Sequence, residues 1–186
     1  MDQLGHLPPF FADEIAQREE CRHPAQRPGP GVNQESADLQ FGGARDDRGE
    51  VAHAAVRLRA LSEADVTRSR GDGKWVKKEI LGHLIDSAAN NHQRFVRAQF
   101  STPFVWPGYD QEAWVPVHRY RDRPWADLVD LWVALNRHVA VVVEGIPVDR
   151  VGTSCAIGGG EAVTLEELIQ DYLRHLRHHL AQIEAA

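Results

Sequence analysis

The chain has little sulfur and no long apolar run. Its only cysteines are Cys21 and Cys155 among 186 residues, too few for a disulfide framework. The longest apolar stretch that could be considered for a membrane, Val139 to Val143, is stopped by Glu144 and Gly145, far short of the roughly 20 residues a span requires. No basic segment followed by an apolar one opens the sequence, so a cytoplasmic protein without membrane insertion is expected. Basic residues are outnumbered by acidic ones, 21 to 27, for a formal net charge of -6 and a pI ≈ 5.9. No lysine and arginine stripe interleaved with aromatics stands out, which argues against a nucleic-acid partner. Strand-like alternation is missing as well, and the length suits one domain with a substantial core. What remains is a helical protein of one domain.

Residues 1–50 hold five of the ten prolines and six of the fifteen glycines, and read as an irregular N-terminal extension in which 10–20 could form a short helix. The bundle domain is expected over 51–186. Val51, Ala55, Leu58 and Leu61 fall near helical spacing, suggesting a first helix over 51–66 that ends at Gly71-Asp72-Gly73. From Trp75 to about Phe100, Ile80, Leu81, Leu84, Ile85, Ala88, Phe95 and Val96 repeat at three and four, the pattern of a long amphipathic helix. Residues 101–123 mix prolines with Phe104, Trp106, Tyr109, Trp114 and Tyr120, as in an ordered loop packed by its own rings, a kind that often borders sites. Pro124 suits the first turn of a third helix that continues to Gly145. Gly158-Gly159-Gly160 lacks a following Lys-Ser/Thr and reads as linker rather than phosphate loop. Thr164 and Glu167 form a capping box that starts the last helix near Leu165. The expected fold is therefore an all-α four-helix bundle with long connections.

The chain has ten histidines, and a lone histidine on a helix face is usually an ordinary core or surface residue. Three of them form a pattern. His175 and His179 are four apart, so their rings can aim at a common point, and His83 lies on another strongly helical stretch from which it could converge on them, as in bundle-core metal sites. His178 is also three from His175, and spacing by itself leaves that pairing open. Leu176 stands where a zinc metalloprotease helix needs its Glu, which excludes that chemistry. Ser87, Asn90, Asn91 and Arg94 extend a polar stripe from His83, facing either solvent or a polar cavity. Asp171, one turn before His175, is either a solvated carboxylate or an acceptor that orients a ligand ring. Cys155 is a candidate thiol near the site, and His6, His23, His53, His92, His118 and His138 read as ordinary surface or loop residues.

The run Trp75 to Ser87 with Asn91 and Arg94, then Gly108-Tyr109-Asp110-Gln111-Glu112-Ala113-Trp114, then Thr164-Leu165, Asp171-Tyr172 and His175-x-x-x-His179-Leu180, resembles the DinB-like superfamily. That superfamily includes the YfiT-type metal-dependent hydrolases and related thiol S-transferases. The resemblance covers 70–186 and implies an up-down-down-up four-helix bundle holding a divalent metal through His83, His175 and His179. It thereby favours His179 over His178 and leaves a coordination position open, as catalytic sites do. It further implies a homodimer and a metal-dependent hydrolase or thiol S-transferase acting on a small electrophilic substrate. Zn2+ or Ni2+ would be the metal, and a low-molecular-weight thiol the cosubstrate in the second case. Asp86, Asn91, Arg94 and Asp171 are candidates for orienting the ligands or touching substrate. A non-catalytic metal-containing stress or ligand-binding bundle is the competing expectation, because no separate general base is evident. Two departures stand out: the family's long first helix is matched only by 51–66, roughly 24 Å at 1.5 Å per residue, and Val76 replaces the usual capping Ser or Thr, at a cost of about 1 kcal/mol.

Overall fold

A computed structural model of the protein describes residues 42–185, and the expected short helix at 10–20 lies outside them. In chain order the elements are α1 (Gly42–Arg59), α2 (Glu63–Thr67), α3 (Lys77–Arg97), β1 (Phe104–Trp106), α4 (Gln111–His118), α5 (Trp125–Glu144), β2 (Ser154–Ile157), β3 (Val163–Thr164) and α6 (Leu165–Glu184). Single 3-10 turns at Tyr120–Asp122 and Val148–Arg150 flank α5. The long helices α1, α3, α5 and α6 make a four-helix bundle in which α3 packs against both α5 and α6, and α1 packs against α5.

The first helix departs from the expectation at both ends. It begins at Gly42, inside the segment that reads as irregular, and stops at Arg59. Residues 42–50 are mostly charged or glycine and carry no apolar period, so only tertiary contact makes their turns worthwhile. One such contact is visible at Glu50, whose carboxylate accepts from Arg177 Nε on α6 at 3.0 Å. The C-terminal break comes from Ser62, whose hydroxyl accepts from the Asp65 N–H while the Asp65 carboxylate accepts from the Ser62 N–H. This reciprocal cap starts a new short helix instead of continuing the old one.

Val76 at the start of α3 offers no side-chain acceptor, and only the Glu79 half of its capping box forms, with Oε2 accepting from the Val76 N–H at 2.9 Å. The Val76 side chain is buried, so apolar burial offsets the missing cap oxygen. Thr164 and Glu167 make the complete box at the start of α6, as the sequence predicts. The strand-free reading of the connections needs correction, because 104–106 and 154–164 contribute to a small sheet. In it β1 runs parallel to β2 with Phe104 opposite Cys155, and β2 pairs antiparallel with β3. Segments of two to four residues are too short to show alternation in the sequence. Gly158 and Gly159, with φ of 63° and 76°, make the β2–β3 turn, where left-handed backbone favours glycine.

The core comprises two apolar clusters. Leu58, Ile80, Leu81, Leu84, Leu128, Trp132, Leu180 and Ile183 belong to the first, and Ala88, Phe95, Val139, Leu165, Ile169 and Tyr172 to the second. Along α3 the buried polar residues His83, Asp86 and Ser87 fall where one cluster gives way to the other. Lys78, also buried, ties the first cluster's edge together by pairing with Glu63 at 2.7 Å and donating to the Arg123 carbonyl at 2.7 Å.

Gly82 is the one glycine inside α3, and its place is set by Tyr120: a Cβ there would overlap the Tyr120 ring. On an open helix face Gly→Ala stabilises by about 1 kcal/mol. At Gly82 overpacking reverses the sign, and Gly82→Ala is expected to lower stability by about 1–3 kcal/mol in urea or thermal denaturation. A stabilised variant would show that the ring does not need that gap.

Candidate metal centre

Three imidazoles meet between α3 and α6. His83 lies in the middle of α3, and His175 and His179 lie one turn apart on α6. Ring centroids are 4.9 Å apart for His83 and His175, 4.9 Å for His83 and His179, and 4.5 Å for His175 and His179. The Nε2 atoms of His83 and His175 are 2.9 Å apart, and one nitrogen from each of the three rings lies within 4.8 Å of the others. Nitrogens bound tetrahedrally to one ion at 2.0–2.1 Å lie about 3.3 Å apart, inside the observed range. His178 takes no part: it is exposed, and its Nε2 lies 2.9 Å from the Gln182 amide nitrogen. Gln182 also orients His179, with Oε1 2.9 Å from Nδ1, which fixes the ring that joins the cluster.

The electrostatics favour lone pairs over protons. Burial, reinforced by the neighbouring rings, lowers the His83 pKa to about 4, and burial followed by His179 lowers that of His175 to about 4. Burial lowers that of His179 as well. Neutral imidazole is the form that binds metal. His83 is 1% exposed and its Nδ1 has no hydrogen-bond partner. Trp75 covers the ring, with centroids 5.2 Å apart. The buried His83 ring turns its Nε2 toward the His175 Nε2, and imidazole nitrogens gathered at one point suit a metal ion. An all-imidazole donor set of this size fits a divalent transition-metal ion.

The other candidates divide. Asn91 and Arg94 are buried on α3, and together with Ser87, Asp171 and His175 they line one cleft beside the histidines. Ser87 Oγ lies 3.5 Å from His175 Nδ1 and accepts from Asn91 Nδ2 at 3.3 Å, so these two residues steer the His175 ring. Asp171 makes an exposed pair with Arg174 at 3.1 Å and acts on His175 through space, opposing the fall in its pKa. Asp86 has other partners: its Oδ1 accepts from Tyr120 OH at 2.7 Å and lies 2.8 Å from His118 Nδ1. Burial raises the Asp86 pKa. His118, which reads as an ordinary loop residue, therefore belongs to a buried polar group, and its sequence gives no hint beyond the helix-internal Gly82 that admits Tyr120. Cys155 is not a reactive thiol; it is fully buried, donates to the Thr153 carbonyl at 3.3 Å, and burial raises its pKa.

A helical bundle that brings three histidines from two facing helices to one point, with an open cleft beside them, defines a class of four-helix-bundle proteins with a candidate metal site. Within that class the chain belongs to the DinB superfamily, whose sequence profile matches residues 50–183. A protein of Halalkalibacterium halodurans named "Putative metal-dependent hydrolase" is 23% identical over 141 residues, covering 74% of this chain and 82% of that one. Bacillus subtilis YfiT, which carries the same description, is 26% identical over 137 residues, covering 68% of this chain and 71% of its own. The solved structure of YfiT, described as "a probable metal-dependent hydrolase with an unusual four-helix bundle topology", superposes with a TM-score of 0.65 at 19% identity. It covers 85% of this chain and 89% of that one, and shows the shared fold.

Because folding depresses the His83 and His175 pKa values from 6.5 to about 4, the unfolded chain takes up protons first as pH falls. The metal-free protein is therefore expected to lose stability between about pH 6.5 and 4, with no contribution from these rings above that window. Denaturation midpoints measured across this range should fall less steeply for His83→Gln than for the wild type. Parallel slopes would mean that the buried imidazoles do not set the pH dependence.

Proposed function

We propose that the chain is a metal-dependent enzyme whose His83, His175 and His179 hold one divalent cation, Zn2+ or Ni2+, for hydrolysis of, or thiol transfer to, a small electrophilic substrate. The observation that carries this reading is the convergence of the three imidazoles, one of them buried, beside a cleft. The relatives' description as metal-dependent hydrolases supports it. Such an ion supplies Lewis acidity, which lowers the pKa of water or of a thiol and so generates a nucleophile near neutral pH. The chain's own residues do the rest. Trp75 shields the His83 face from water, Ser87 and Gln182 fix the orientations of the His175 and His179 rings, and three protein ligands leave room for a fourth partner. Hydrolysis and thiol transfer would call on the same chemistry, with water as the nucleophile in the first and a thiol in the second. A homodimer working in the cytoplasm completes the proposal.

Elemental analysis of untagged protein should find close to one equivalent of divalent metal, lost in His83→Ala and His179→Ala and kept in His178→Ala. Turnover of a chromogenic electrophile should disappear in the same two variants, and its dependence on added low-molecular-weight thiol separates transfer from hydrolysis. A folded wild type that takes up no metal after reconstitution would leave a ligand-binding bundle without this chemistry.

A further inference from the structure

The cleft beside His175 contains a feature that the metal centre does not use. Arg94 sits in the interior of α3, 9% exposed, yet none of the described carboxylates pairs with it. Its Nη1 donates to Asn91 Oδ1 at 3.2 Å, and its buried Nε has no hydrogen-bond partner. A guanidinium does not deprotonate in a protein, so it cannot escape burial by neutralising, as a lysine or carboxyl group can. An unpaired buried charge is strongly unfavourable unless something satisfies it. Among the residues lining the cleft it is the one permanent cation, and the one acid there, Asp171, is turned to Arg174 at the exposed rim. Ser87, Asn91 and Tyr109 supply further hydrogen-bonding groups around a cavity of about 150 Å³, room for a small-molecule group rather than a single water.

The position along α3 adds a length. Arg94 is eleven residues beyond His83, three turns on the same face, or about 16 Å of rise. Side chains on a helix lean toward its N-terminus, so the Arg94 head reaches part of the way back toward the histidines. The cleft thus has a neutral, metal-ligating end at His175 and a cationic end at Arg94. We propose that Arg94, oriented by Asn91, is an oxyanion-binding residue, and that the small molecule handled at the histidines carries a carboxylate or phosphate at its far end. The fork of the guanidinium matches either group bidentately. The substrate assignment rests on the reading of the histidines as the reacting centre, whereas the anion site itself stands on Arg94 alone.

The test is calorimetric titration of the full chain with succinate and, separately, with inorganic phosphate, which distinguishes the two oxyanions. Wild type should bind at least one probe saturably, and Arg94→Gln should bind it at least about tenfold more weakly while keeping its metal content. Asn91→Ala, which leaves the charge but frees the guanidinium, should fall between them, and it carries the test if Arg94→Gln fails to fold by circular dichroism. His83→Ala should lose metal and retain Arg94-dependent anion binding. Binding that is equal in wild type, Arg94→Gln and Asn91→Ala, or no saturable binding of either probe by wild type, overturns the anion site. Anion binding in a chain that takes up no metal would overturn the metal reading instead and leave the Arg94 site standing.

Discussion

The close approach of α3 to α6 at the level of His83 is the constraint on which the rest of the structure depends. Burial lowers the pKa of all three rings, whose centroids are 4.5–4.9 Å apart, and the neighbouring rings add to that shift. Each surrounding feature serves that packing. The capping box at Thr164 sets where α6 begins, and so which of its residues stand opposite His83. Apolar clusters above and below clamp α3 against both α5 and α6. Val76, which takes the place of a capping hydroxyl, contributes apolar burial at the start of α3 instead.

A second consequence is that α3 carries an unusual polar load for a central helix. His83, Asp86, Ser87, Asn91 and Arg94 are all buried along it, and each needs an answer to the cost of leaving water. Asp86 finds Tyr120 and His118, and Ser87 and Asn91 find each other and His175. The atoms left over are His83 Nδ1, Asp86 Oδ2 and Arg94 Nε. Polar groups that a fold buries without satisfying are found where ligands bind, because the ligand completes the network. Two of these three belong to the histidine cluster and to the cleft beside it.

The bundle also explains why the connections matter. The segment between α3 and α5 returns Tyr120 to the side of α3, where Gly82 leaves space for its ring, and places Tyr109 at the cleft. The segment between α5 and α6 builds a small sheet with β1 and buries Cys155 in the second apolar cluster. The helices thus position the histidines, while the loops shape what surrounds them.

The helices α3, α5 and α6 were legible in the sequence because their apolar residues recur at the helical period over about five turns each, and caps at Thr164 and Pro124 mark their starts. The pairing of His175 with a ring four residues away was legible for the same reason, since local spacing sets which side chains share a face. Residues 42–50 were not legible as helix, because they have no apolar period of their own; the contact shown there is that of Glu50 with Arg177. Nor were β1 to β3, too short to alternate. Which of His178 and His179 joins the cluster depends on the rotation of α6 against α3, a matter of how two helices pack, and the motif resemblance anticipated it where spacing could not. The partnership of Asp86 with Tyr120 and His118, and the isolation of Arg94 in a cleft, join residues that only the folded chain brings together. The sequence by itself determined the helical periods and the chemistry each face carries; tertiary packing decided which buried polar groups found partners, because burial and distance are properties of the assembled bundle and not of any one segment.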